Sequence, residues 1–197
     1  MDSNQDFGSI LNSSSGSSPT ASKQDSNGFG SLLNGYEQVR TSPTRTVNNE
    51  AVGTTVDEFV KSVAPAAQKV AQRLNVPVEA VIGQWGVETG WGKSVIPGTN
   101  NLGNVKDKSG KGTAATDNAT GSRDNYRQYA SVDEFADDFA NLVGNGRYKA
   151  VAGSPDAQTY FNNLKAGGYA EDPAYAQKGA AAAKMAACMG DVRSPAA

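Results

Sequence analysis

The chain has no histidine and only one cysteine, Cys188, among its 197 residues. That inventory excludes a Ser-His-Asp triad, a Cys-His pair and a structural zinc site, and leaves Cys188 without an internal disulfide partner. Acid-base chemistry in such a chain falls to carboxylates, Tyr or Lys. Long apolar runs are absent too: no stretch approaches the roughly 20 residues needed to span a bilayer, and the polar N-terminus predicts no export signal. Basic runs that could track a phosphate backbone are also missing. The formal charge of -2 comes from interspersed acids and bases, which argues against nucleic acid as a partner.

What is present is divided unevenly. The first fifty residues carry eleven Ser, six Asn and five Gly. Such a composition cannot bury enough apolar surface to offset the entropy of ordering, so 1–53 is expected to be a disordered tail. It contains one internal echo, Phe7-Gly-Ser-Ile-Leu-Asn12 and Phe29-Gly-Ser-Leu-Leu-Asn34. Two such clumps on one flexible chain suit docking to a virion or a secretion machine, with avidity raised through effective concentration; biased composition also produces echoes of this kind by chance. From 54 to 190 the apolar positions become periodic over a length that can bury a core. A short tail, 191–197, follows.

Within 54–190, Thr55 and Glu58 form a capping box that opens a helix, Pro65 is expected to break it, and a second helix follows over 65–74. Pro77 suits the first position of a third helix. There Val78, Val81, Ile82, Trp85 and Glu88 recur at spacings of three and four, so Glu88 falls on an apolar face. Partial desolvation and the nearby helix C-terminus both raise the pKa of a carboxyl so placed, as a general acid at neutral pH requires. Gly90 and Gly92 end the helix and leave space beside the carboxyl. After a loop over 99–106, segments 113–120 and 122–129 read as a hairpin turning near Gly121. Ser131 and Glu134 open a helix with Val132, Phe135, Phe139 and Leu142 inward and Asp133, Asp137 and Asp138 outward. Ser154-Pro155 is expected to cap a short helix through Tyr160, Phe161 and Leu164, closed by Gly167-Gly168. Asp172-Pro173 starts a last helix through Ala181, Met185 and Cys188, the cysteine being read as a small buried hydrophobe. The fold class is α+β, mainly helical.

The order of motifs resembles the peptidoglycan-cleaving glucosaminidases of glycoside hydrolase family 73. The fragments are Glu88-Thr-Gly-Trp-Gly92, Thr99-Asn-Asn-Leu102 with Val105-Lys106, Tyr126-Arg-Gln-Tyr129, Arg147-Tyr148, and Gly168-Tyr-Ala-Glu-Asp-Pro173 followed by Tyr175-Ala176. The resemblance implies a lysozyme-like fold with a β-hairpin lobe, no metal or organic cofactor, and hydrolysis of β-1,4 bonds in peptidoglycan glycan strands, on the N-acetylglucosaminyl side, in the periplasm or cell wall. It makes Glu88 the acid that protonates the glycosidic oxygen. A second carboxylate, or the substrate's acetamido group, completes such chemistry; the hairpin offers Asp117, the preferred candidate, and Asp124. Trp91, Tyr129 and Tyr169 are the candidate sugar-facing rings and Asn101 an amide partner, whereas Tyr148 is expected to pack. Where the family commonly has an aromatic followed by glycine, this chain has Gly103-Asn104, and asparagine tolerates the left-handed backbone that glycine favours. A muramidase or lytic transglycosylase on the same fold, and a wall-binding or virion structural protein without turnover, are the alternatives.

Overall fold

The computed structural model describes residues 49–53, 55–116 and 121–189. The paired Phe-Gly-Ser clumps, Asp117 and the C-terminal tail lie outside the described residues. Among the described residues, five α-helices, α1 (Val56–Leu74), α2 (Val78–Thr89), α3 (Val132–Val143), α4 (Ala157–Ala166) and α5 (Tyr175–Met189), surround one core, with a 3-10 turn at Gly146–Val151. A hairpin of β1 (Thr113–Thr116) and β2 (Arg123–Tyr126) is antiparallel, with Thr113 opposite Tyr126 and Thr116 opposite Arg123. Strand β2 is half as long as the sequence suggests. No helix among the described residues is long and apolar enough to cross a membrane.

The centre of the fold is α2. It is buried on nearly every side, with Val78, Ala80, Val81, Ile82, Gln84 and Trp85 all in the interior, so it is a core helix and not a two-faced one. Helices α5, α1 and α4 pack around it. At Gly83 the approach to α5 is backbone to backbone: a Cβ there would lie 2.5 Å from the Ala183 nitrogen. On the other helix Gly179, Ala182, Ala183 and Ala186 are the buried small residues that permit this approach. Trp85 anchors the opposite side, its ring edge-on to Phe135 at 5.1 Å and Phe139 at 5.7 Å.

Several sequence expectations change. Helix α1 runs unbroken through Pro65. Pro65 and Lys61, whose carbonyl loses its intrahelical donor, are both exposed, so solvent satisfies that oxygen while Phe59, Val63, Ala66 and Val70 stay in register on the core. Pro77 is the N-cap of α2, one position before the helix proper. The cap of α4 is Asp156, accepting from the Thr159 N–H at 2.7 Å, while the buried Ser154 hydroxyl donates to the Val151 carbonyl. Asp138 is not simply solvated: it accepts from Arg127 and from the Tyr129 hydroxyl, each at 2.6 Å. On α5 the inward face is Tyr175, Ala176, Gly179, Ala182, Ala183 and Ala186, and Ala181, Met185 and Cys188 face outward. Cys188 is therefore exposed, contrary to the buried role expected of it.

The domain also begins before residue 54. Asn49 accepts from the Thr99 and Asn100 N–H groups, each at 2.9 Å, and donates to the Ile96 carbonyl at 3.0 Å. Glu50 accepts from the Val132 N–H at 3.0 Å, and Val52 is buried in the core. The last residues assigned to the tail thus clamp the loop that leads to the site.

Candidate active site

Glu88 sits in the last turn of α2, which Gly90 closes in the left-handed conformation at φ 57°. Two segments far apart in sequence meet its carboxyl. From the N-terminal end of α5, the Tyr175 hydroxyl donates to Oε1 at 3.1 Å. From the 99–106 loop, Asn104 Nδ2 donates to the Glu88 main-chain oxygen at 2.7 Å and lies 3.3 Å from Oε2. Asn104 is itself left-handed, with φ 48°, as the Gly103-Asn104 departure predicts. Gly103 accounts for the missing aromatic: a Cβ there would press on the Tyr169 hydroxyl at 3.0 Å and on the Phe139 ring at 3.2 Å.

The loop owes its shape to Asn101. That side chain is wholly buried; Nδ2 donates to the Val105 and Arg127 carbonyls at 2.9 and 3.0 Å, and Oδ1 accepts from the Val105 N–H at 2.9 Å. Its amide is consumed inside the protein, which corrects the expectation that it meets a sugar. Tyr129 is likewise buried, packed edge-on to Phe135 and bound to Asp138. Trp91, half-buried at φ 59°, stands edge-on against Phe59 at 5.8 Å. Of the proposed rings, Tyr169 is joined to the site through its neighbours: it stacks on Tyr175 at 6.3 Å and donates to the Gly103 carbonyl at 2.7 Å. Tyr148 packs, edge-on to Tyr169 at 5.5 Å.

Burial pushes the Glu88 carboxyl from its ordinary value of 4.5 up to about 7, against the opposing pull of the hydrogen bonds from Tyr175 and Asn104. Burial, together with the charge of Glu88, holds the Tyr169 and Tyr175 phenols well above their ordinary range, so both remain donors. A carboxyl that keeps its proton near neutrality beside two fixed donors can give that proton to an oxygen and be stabilised as the anion afterwards. Asp124, the described hairpin candidate, is half-buried and accepts from Lys106 Nζ at 2.7 Å and the Ser122 hydroxyl at 3.1 Å. Sequence reasoning quoted Tyr175 and Asn104 without giving either a place at the carboxyl. The available signals were the place of Tyr175 in the last motif fragment and the Gly103-Asn104 departure in the loop.

A family profile described as "Glucosaminidase: Mannosyl-glycoprotein endo-beta-N-acetylglucosaminidase" matches residues 64–186. The chain belongs to the glucosaminidase family. It is by that membership a glycoside hydrolase, and the mainly helical architecture with a small hairpin agrees. It is similar to a peptidoglycan hydrolase from Sphingomonas sp. A1, with 34% identity and a TM-score of 0.61 over 72% of this chain and 97% of that one. It is also similar to the glycoside hydrolase domain of Salmonella typhimurium FlgJ, with 28% identity and a TM-score of 0.57 over 69% of this chain and 91% of that one. The peptidoglycan hydrolase FlgJ of Pseudomonas aeruginosa is 32% identical over an alignment of 145 residues that covers 66% of this chain and 36% of that protein. The chain spans less than half the length of the curated relatives it matches.

Proposed function

We propose that this protein hydrolyses β-1,4 bonds of peptidoglycan glycan strands on the N-acetylglucosaminyl side, with Glu88 as general acid. The observation that carries the reading is the Glu88 carboxyl, half-buried, raised to about 7 and held by Tyr175 and Asn104 at the end of the core helix. Similarity to proteins named as peptidoglycan hydrolases supplies the substrate class. Protonation of the glycosidic oxygen by Glu88 would release the leaving sugar as an oxocarbenium-like centre develops, and either a hairpin aspartate, Asp117 or Asp124, or the substrate's own acetamido group would stabilise that centre. Tyr169, stacked on the Tyr175 that holds the carboxyl, is the ring proposed to border the sugar, with Trp91 just past the end of α2.

Digestion of purified cell walls tests this. The parent protein should release glycans ending in reducing N-acetylglucosamine, and Glu88→Gln should keep the fold and lose the activity. Ends in 1,6-anhydro-muramic acid would establish a lytic transglycosylase instead, and turnover by Glu88→Gln at the parent rate would remove Glu88 from the mechanism. Delivery by a phage particle or an export machine through the paired Phe-Gly-Ser clumps is the accompanying proposal; deleting residues 2–40 should abolish incorporation into the carrier while the domain stays active.

A further inference from the structure

A groove of about 400 Å³ lies at the base of the hairpin, and Glu88 does not line it. Its walls carry charges of both signs: Lys111 and Arg127 against Asp107, Glu134 and Asp138. Two of the acids already have partners within the protein. Asp138 is paired to Arg127 and Tyr129, and Asp107 accepts from the Ser109 hydroxyl at 2.8 Å and from the Ser109 and Gly112 N–H groups at 2.9 and 2.6 Å, bonds that hold its carboxyl below the usual range. Lys111 has no ion-pair partner among the described residues. Glu134 Oε2 accepts from the Ala130 N–H. A free ammonium and a carboxylate with capacity to spare therefore face the same space.

Sugar hydroxyls can bond to charged side chains, but they do not call for a free cation and a free anion together. The groove's one aromatic, Tyr129, is already packed on Phe135. A ligand bearing both a carboxylate and an amine matches it better. The groove is also close to the proposed chemistry. The segment from Asn104, which touches Glu88, to Asp107, which lines the groove, runs beside β2: the Arg127 N–H donates to Val105 at 2.9 Å and the Asp107 N–H to Asn125 at 2.7 Å. Three extended residue steps put the two Cα atoms no more than about 11 Å apart.

We infer that this groove is a subsite for the short, zwitterionic peptide carried by the glycan strand, with Lys111 receiving a peptide carboxylate and Glu134 a peptide amine. The inference rests on the peptidoglycan reading above. It makes the enzyme selective for strands that still bear their peptides, and it gives the hairpin a recognition task distinct from supplying a second catalytic carboxyl.

The test compares peptide-bearing strands with strands stripped of peptide by an amidase, for the parent protein and for Lys111→Glu. Lys111 is exposed, so the reversal leaves the core untouched. The parent should prefer peptide-bearing strands, and Lys111→Glu should cut that preference about fivefold, the contribution of one partly solvated ion pair, through KM and not kcat. Added salt should erode the parent's preference in the same direction. Equal cleavage of both substrates by the parent, or an equal loss on both in the variant, overturns the subsite while leaving the hydrolase reading intact. Cleavage of neither substrate by the parent removes both.

Discussion

Glu88→Gln should stabilise this protein above neutral pH while abolishing its proposed activity. The carboxyl's folded value of about 7 stands well above its ordinary 4.5, so between those values the folded state holds a proton that the unfolded state has released. Stability from this group is thus fully present below pH 4.5 and is lost as pH rises through 7. At about 1.36 kcal/mol per pH unit, the ionised carboxylate costs the fold about 3 kcal/mol at pH 8. Glutamine removes that cost but sets an NH₂ against one of the two donors, Tyr175 or Asn104, at a penalty of about 1 kcal/mol. The net gain is about 2 kcal/mol at pH 8, shrinking to zero or below at pH 4. Urea unfolding of parent and variant at pH 4, 6 and 8 measures it. A gap that does not depend on pH, or one that widens towards acid, would refute the assignment of a raised pKa to Glu88.

The other expectations follow the same contacts. Tyr175→Phe keeps the stack on Tyr169 and removes one donor to the carboxylate; the Glu88 pKa should rise by about one unit, moving the alkaline limb of wall hydrolysis upward, and a limb that stays or falls argues against direct contact. A domain beginning at residue 54 should be about 3 kcal/mol less stable to urea than one beginning at 49, because the bonds of Asn49 and Glu50 to the 96–100 loop and α3 are lost; equal stability would show the clamp to be idle. Pro65→Ala should add about 2 kcal/mol by restoring the donor to the Lys61 carbonyl, measured as a shift in the urea midpoint.

Legibility tracked how local the determining physics is. The place of Glu88 at the end of an apolar helix could be read because spacing and the glycine stop lie within a dozen residues of it. The caps at Thr55 and Ser131 were equally local. Tyr175 could not be given its role, since its contact depends on α5 docking on α2 across 87 positions through Gly83 and Ala183. In α5 itself, alanine on every side blurs the apolar period, and Cys188 reads as buried where the structure exposes it. Asn101 failed for another reason: an amide that braces a loop and one that binds a sugar look identical in sequence, and only burial separates them. Pro65 shows propensity yielding to tertiary packing, because its unfavourable face happens to be the exposed one.

On the proposed mechanism, the arrangement around Glu88 accounts for an acid built with donors that work against its protonation. Burial dominates in the resting state and keeps the proton on at neutral pH. As the proton moves to a leaving oxygen, negative charge grows on the carboxylate, and the Tyr175 hydroxyl and Asn104 amide already point at its two oxygens. Their hydrogen bonds strengthen with that charge, so they favour the transition state over the ground state. Because the donors are fixed by Tyr169 stacking and by the Asn101-braced loop, no reorganisation is needed at the moment of transfer. On the proposed mechanism, then, the core helix supplies the desolvation that holds the proton, and the loop and α5 supply the polarity that lets it leave.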